Sequence, residues 1–319
     1  MNGYLGIDVG SVSTNLVVIN YEGEVLEKIY LRTKGQPIDV VQRGLKELKQ
    51  SLADDIEIKG VGTTGSGRNL TSVVVGADTV KNEITAHAVA SSHIVPDVRT
   101  VLEIGGQDSK ITILRNGIVV DFAMNTVCAA GTGSFLDQQA ARLGIPIEDF
   151  GKMALKSKNK VRIAGRCSVF AESDMIHKQQ MGHNLEDIIA GLCEALVRNY
   201  LNNVGQGKDI LAPVVFQGGV AANEGIKEAF AEALETEIVV PEHHDVMGAI
   251  GAALLAKDKI VNDGEETSFK GWNVTEIEYT PSSFECEGCA NLCEVIEIRM
   301  DGEIVSRWGH RCNKWDLAQ

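Results

Sequence analysis

One local pattern occurs twice in this chain, and it restricts the fold more than any other feature. Residues 3–9 form an apolar run ending in the glycine turn Asp8-Val9-Gly10-Ser11. Two more strand-like runs follow, 17–20 and 25–30, joined by the tight turn Glu22-Gly23. The second copy begins at residues 101–104 and enters Gly105-Gly106-Gln107-Asp108. Its next strands, 110–115 and 118–123, flank the turn Asn116-Gly117. The order is the same in both places at low sequence similarity, which predicts an internal duplication of an α/β unit. Helical periodicity supplies the remaining layers. Residues 39–52 carry Val40, Val41, Leu45, Leu48 and Leu52 on one face. Helices are also expected over 82–95, 134–143, 172–180, 185–203, 224–234 and 246–256, and further strands over 58–62, 214–217 and 238–240.

A third glycine turn, Gly218-Gly219-Val220, follows the apolar run 213–216. Glycine has no Cβ, so the backbone N–H groups of such turns can approach an anion closely. Three of them predict a phosphate-bearing ligand held from several sides. The length, 319 residues, suggests about two domains and an appendage. A net charge of −14 argues against nucleic-acid or anionic-membrane partners. No apolar run is long enough to span a bilayer, and the first residues lack a basic signal-peptide region, so a cytoplasmic location is expected. Seven cysteines, an odd number, suit metal ligation or thiol chemistry better than disulfides in that setting.

Two segments hold cysteines beside expected helix starts. They are Asn125-Thr126-Val127-Cys128-Ala129-Ala130-Gly131-Thr132-Gly133-Ser134-Phe135 and Gly165-Arg166-Cys167-Ser168-Val169-Phe170-Ala171-Glu172. Exposed N–H groups and the helix dipole stabilise a thiolate there. Cys193, inside the apolar stretch 185–203, reads instead as a buried small side chain. Near the end, Cys286, Cys289 and Cys293 form a C-x2-C-x3-C set with a later Cys312. Runs 295–300 and 304–308 flank Asp301-Gly302, a hairpin signal. A ribbon stapled by zinc or by a second iron–sulfur cluster is the expectation for residues 271–319, which would hardly fold alone without a staple.

These residues together resemble a known superfamily. Asp8 to Thr14 resembles the first phosphate loop of the actin-like ATPases, and Gly105 to Lys110 the second. Gln217-Gly218-Gly219-Val220-Ala221-Ala222-Asn223 resembles their adenosine motif, and residues 245–252 the second interdomain connector. The two cysteine segments are similar to those of the activator ATPases of 2-hydroxyacyl-CoA dehydratases and the related subunits of benzoyl-CoA reductase. The resemblance covers roughly residues 1–258. The cysteine tail resembles larger activator-like proteins and the reductases of double-cubane-cluster proteins.

The resemblance implies an α/β chain of two duplicated ribonuclease-H-like (actin-like ATPase) domains with a small cysteine-rich C-terminal module. The expected halves are 1–95 and 96–260, and the tail is 271–319. ATP or ADP with Mg²⁺ would lie against Gly10, Ser11, Ser13, Thr14, Gly105, Gly106, Gln107, Gly218, Gly219 and Asn223. Asp8, Gln107 and Asp108 would hold the cation through water or orient the attacking water. A 4Fe–4S cluster takes four thiolates. Cys128 and Cys167 supply two per chain, so a homodimer sharing one cluster on its two-fold axis is implied. The function implied is ATP-dependent one-electron reduction of an iron–sulfur partner enzyme, with a ferredoxin or flavodoxin as donor. A small-molecule kinase on the same fold is the alternative, and a non-enzymatic actin-like scaffold a third reading; both leave the cysteine segments unexplained.

Overall fold

The structure is a computed structural model describing residues 1–125 and 127–315; Thr126 and the last four residues of the tail lie outside the described residues. It divides into two units, one made of Met1–Glu83 with the chain from Gly248 onward, the other of Ile84–Met247.

The first unit contains β1 (Asn2–Val9), β2 (Ser13–Ile19), β3 (Val25–Arg32), α1 (Pro37–Ser51), β4 (Glu57–Thr64), α2 (Arg68–Val75) and β5 (Thr79–Val80). Its sheet runs β3-β2-β1-β4-β5, with antiparallel β1–β2 and β2–β3 pairs and parallel β1–β4 and β4–β5 pairs. The second unit contains α3 (Glu83–Ile94), which begins one residue before the boundary, then β6 (Thr100–Ile104), β7 (Ser109–Arg115), β8 (Ile118–Asn125), α4 (Gly133–Leu143), α5 (Ile147–Ala154), α6 (Ser168–Gln180), α7 (Leu185–Asn203), β9 (Val214–Gln217), α8 (Glu224–Leu234) and β10 (Ile238–Val239). Its sheet, β8-β7-β6-β9-β10, repeats the order and every strand direction of the first. The predicted duplication is thus present strand for strand.

α1 shows why the periodicity was legible. Val41, Leu45 and Leu48 are buried with Leu5, Ile7 and Leu16 of the sheet. In the second unit α7 plays the central part, with Ile188, Leu192, Leu196 and Tyr200 fully buried among α5, α8 and the sheet.

α9 (Met247–Asp263) approaches the first sheet unusually closely. A Cβ on Gly6 of β1 would lie 1.8 Å from the Ala249 carbonyl oxygen, and one on Gly62 of β4 would lie 2.1 Å from that of Ala252. Both obstacles are backbone, so no rotamer change relieves them. Gly6→Ala should therefore cost about 3 kcal/mol or more, a loss of roughly 6–12 °C in melting midpoint for a unit of this size. A thermal melt that leaves the midpoint unchanged would show that α9 moves off the sheet freely.

α9 continues through Asn262 and Asp263 and stops at Gly264 in the left-handed region (φ +67°). The Asp78 carboxylate then accepts from Thr267 Oγ1 (2.7 Å) and the Ser268 N–H (2.6 Å), pinning the connection. The tail forms an antiparallel sheet of β11 (Tyr279–Glu285), β12 (Glu294–Met300) and β13 (Glu303–Trp308). It shares the first unit's core: Val274, Tyr279 and Ile298 are buried with residues of α1 and α2. The Gln42 amide donates to the Val274 and Ile277 carbonyls at 2.8 Å each, and the Tyr279 hydroxyl donates to Val74 O at 3.1 Å.

Candidate functional site

The first and second glycine turns have the same construction. After β1, the Gly10 N–H donates to Ser13 O at 2.8 Å; after β6, the Gly105 N–H donates to Asp108 O at 3.0 Å. Each leaves short backbone segments open to a ligand, with Ser11 and Gln107 exposed. Thr14 is different. It is fully buried behind its loop, its hydroxyl 3.0 Å from that of Thr33, which itself donates to Gly10 O at 2.9 Å. Its place is one of support. The loop after β4 closes on Asp8: Gly65 has φ +85°, and a Cβ there would lie 2.4 Å from Asp8 Oδ1. The Gly67 N–H and Ser66 Oγ both donate to Val9 O. Residues 65–67 therefore belong with Asp8, a connection that 57 residues of separation conceal in the sequence.

In the second unit the second and third turns are neighbours. Gly218 has φ +91°, and a Cβ there would lie 2.4 Å from Ile104 O, the residue before Gly105. The Gly218 N–H donates to His244 O at 2.8 Å. Gly219–Ala222 is a 3-10 turn, and the Asn223 side-chain Oδ1 accepts from the Ile226 N–H as the cap of α8. The Gly105 turn is also held from the other side. The first N–H groups of α4, those of Gly133 and Ser134, donate to Gly105 O and Gly106 O at 2.9 Å each.

The same α4 start leads back to Cys128, which precedes a short 3-10 turn, Ala129–Gly131. Asn125 clasps Cys128 at both ends: its Oδ1 accepts from the Cys128 N–H and its Nδ2 donates to the Cys128 carbonyl, both at 2.9 Å. Cys167 occupies the N-cap position of α6, which starts at Ser168, four residues earlier than the periodicity suggests. The two cysteine segments meet: Cys128 Sγ lies 3.8 Å from Arg166 O. Asn199 of α7, buried, joins them, its Nδ2 donating to Gly165 O at 2.6 Å and lying 3.6 Å from Cys128 Sγ. Both thiols remain partly exposed, and around them Val127 is 95% exposed, Val169 66% and Phe170 65%. Cys193 is buried inside α7, and burial pushes its thiol up to about 12, so it stays protonated and inert.

In the tail, the Cys286 N–H donates to Cys293 O at 2.8 Å and the Leu292 N–H to Cys289 O at 3.2 Å, which makes a knuckle between β11 and β12. Trp308 pairs with Ile296, and Gly309 lies against Glu294 O, so the chain toward Cys312 returns to the same end of the sheet. The Trp315 indole, the Gly288 N–H and the Lys314 ammonium together hold the Cys286 thiol below the usual range, outweighing its desolvation. The indole N–H makes no hydrogen bond of normal geometry, so its pull is that of a nearby dipole. Among the described residues, no three His, Cys, Asp or Glu side chains gather as a metal-holding group.

Two duplicated sheets with glycine turns at equivalent strand ends define an actin-like ATPase. The chain belongs to the BadF/BadG/BcrA/BcrD ATPase family, whose model matches residues 5–256. It is 36% identical over 265 residues to the 2-hydroxyisocaproyl-CoA dehydratase activator of Clostridioides difficile, covering 82% of this chain and 97% of that protein. It is 37% identical over 264 residues to the (R)-2-hydroxyglutaryl-CoA dehydratase activating ATPase of Acidaminococcus fermentans, covering 80% and 97%. The solved structure of the former activator with bound ADPNP superimposes with a TM-score of 0.73 at 34% identity, covering 82% of this chain and 97% of that one. The matched family region stops before β11–β13.

Proposed function

We propose that this ATPase is an activase: it uses ATP hydrolysis to drive single electrons onto an iron–sulfur partner protein of the 2-hydroxyacyl-CoA dehydratase or double-cubane-cluster type. The observation that carries the reading is the meeting of the two cysteine segments, where Cys128 Sγ lies 3.8 Å from the carbonyl of Arg166, the residue before Cys167, with short links from Cys128 to the Gly105 turn. The environment of the two thiols fits an iron–sulfur cluster. Both are accessible, and the Asn199 amide points a donor at the Cys128 sulfur, as thiolate ligands commonly require. Two thiolates per chain are half of a 4Fe–4S ligand set, so a homodimer would hold one cluster between its copies. When bound, the cluster supplies one-electron storage. The exposed apolar residues Val127, Val169 and Phe170 suit burial against the second copy and the electron-accepting partner.

The chain's own residues supply the coupling. In the first unit the Ser11 and Ser13 hydroxyls, and in the second the Gly106 and Gln107 N–H groups, would bind phosphate oxygens of ATP or ADP, and Gly218 and Gly219 would allow the backbone to approach the adenosine. Asp8 in the first unit, and Gln107 and Asp108 in the second, would hold Mg²⁺ through water or orient the attacking water. A change at the Gly105 turn pulls directly on Gly133 and Ser134, and through them on the four-residue approach to Cys128. Driving an electron uphill by a few hundred millivolts asks for roughly 5–10 kcal/mol, which differential nucleotide affinity for two conformations can supply. A ferredoxin or flavodoxin is the fitting donor. The tail cysteines Cys286, Cys289, Cys293 and Cys312, which do not gather as a metal-holding group among the described residues, would have to draw together to hold zinc or a second cluster.

The test is oxygen-free purification of the full chain, with iron, sulfide and zinc counted and mass determined. The expected result is a dimer with about four irons, plus metal in the tail, that oxidises in the presence of an iron–sulfur acceptor only when ATP is added. Iron-free monomers, or electron transfer indifferent to ATP, would overturn the reading.

A further inference from the structure

Behind the Gly105 turn lies a row of buried polar side chains. Lys110 on β7, Glu103 on β6 and Gln217 on β9 are cross-strand neighbours, since Glu103 pairs with Lys110 on one side and with Gln217 on the other. Lys110 is 3% exposed, Glu103 8% and Gln217 0%. The Lys110 ammonium bridges two carboxylates, 3.0 Å from Glu103 Oε1 and 2.9 Å from Asp108 Oδ2. Glu103 Oε2 lies 3.5 Å from His87 Nε2. His87 Nδ1 is 2.6 Å from Gln217 Nε2, and Gln217 Oε1 accepts from Ser91 Oγ at 2.8 Å. With Gln217 donating, Nδ1 is the acceptor and the ring hydrogen sits on Nε2, toward Glu103. Burial favours a neutral Glu103, but His87 and Lys110 outweigh it and hold the carboxyl below its ordinary range. The Tyr200 hydroxyl donates to the Lys110 carbonyl, fixing the backbone as well.

We infer that Lys110 is a positioning residue for Asp108. Glu103, His87 and Gln217 keep its ammonium from turning away, so the Asp108 carboxylate is presented in one orientation to whatever the Gly105 turn holds. The same row ends at Gln217, directly before Gly218, and so braces the two nucleotide turns of this unit against each other. A buried ion pair with no such task would be replaceable by apolar side chains at little cost; this one ends on a half-exposed carboxylate in a ligand loop. The inference rests on reading Asp108 as part of the ATPase machinery, and the experiment separates the two.

ATP hydrolysis by the full chain would be measured for Asp108→Asn, for the double variant Lys110→Met/Glu103→Gln, for Lys110→Arg, and for the triple variant combining the first two. The double variant removes both buried charges at once, because removing Lys110 alone would strand Glu103 and endanger folding. Expected are a fall in kcat of about tenfold or more in the double variant with KM for ATP within about threefold, partial recovery in Lys110→Arg, and a triple variant no slower than Asp108→Asn. A folded double variant with unaltered kcat, or effects that multiply in the triple variant, would overturn the positioning role. An Asp108→Asn protein with full activity would instead remove Asp108 from the machinery and the inference with it. Should the double variant not fold, Lys110→Arg decides alone: a kcat reduced with KM kept supports the brace, and an unaltered kcat in which Asp108→Asn is slow refutes a fixed ammonium geometry.

Discussion

Cys128→Ala should cost the oxygen-free protein the iron of the shared cluster, about four atoms per dimer, while ATP affinity stays within about threefold. Each chain of a cluster-sharing dimer would lose one of two ligands, leaving two of four. The Cys128 side chain touches Asn199 and the Arg166 carbonyl and makes no described contact with the Gly105 or Gly218 turns, so nucleotide binding has no reason to follow. Iron and sulfide assays, with titration by a fluorescent ATP analogue, check both halves. Cys193→Ala is the matched control. Its thiol is buried in α7 and should be dispensable for iron. Full iron in Cys128→Ala would place the cluster elsewhere, with the tail cysteines as the obvious site.

Asp8→Asn should lower kcat for ATP hydrolysis by about 10²–10³-fold and raise the Mg²⁺ concentration needed for half-maximal rate. The first unit is built tightly around this carboxylate. β1 delivers it, Gly65 leaves room for it where any Cβ would collide, and Gly67 and Ser66 tie the loop to the next carbonyl along. The amide keeps the shape and removes the charge, so a loss of rate reports on cation or water handling rather than on packing. Phosphate release measured against Mg²⁺ is the readout. Unchanged rates would leave Asp8 a structural residue of the β1 turn.

The fold was readable because its two halves use the same short grammar, with a glycine turn after the first strand of each. β1 to β3 and β6 to β8 follow directly from alternating runs and Glu22-Gly23 or Asn116-Gly117. α2 and α5 escaped because each is eight residues long and neither has a side-chain N-cap; α2 also carries Thr71 and three consecutive valines, which favour strands. β11 escaped because Pro281 and two serines interrupt its apolar pattern. Within the site, motif spacing pointed to Cys128, Cys167 and the glycine turns. It gave no sign of Asn199, Gly65 or the Lys110–Glu103 pair. Asn199 lies 71 residues from Cys128, on a helix whose pattern reports only core packing, and Gln217 meets His87 across 130 residues. Contacts of that kind exist only after the sheet has formed.

A lineage that has laid residues 272–300 over the core of the first unit cannot easily shed them. Deleting the chain from Trp272 onward would bare the apolar partners of Val274, Tyr279 and Ile298, at about 1.5–3 kcal/mol for each, and would leave Gln42 of α1 without its two carbonyls. A shorter homologue must keep that flank of the helix polar from the outset. Reversal here would need several surface changes before the truncation, so the appendage behaves as a ratchet, and descendants inherit it whether or not its cysteines still serve.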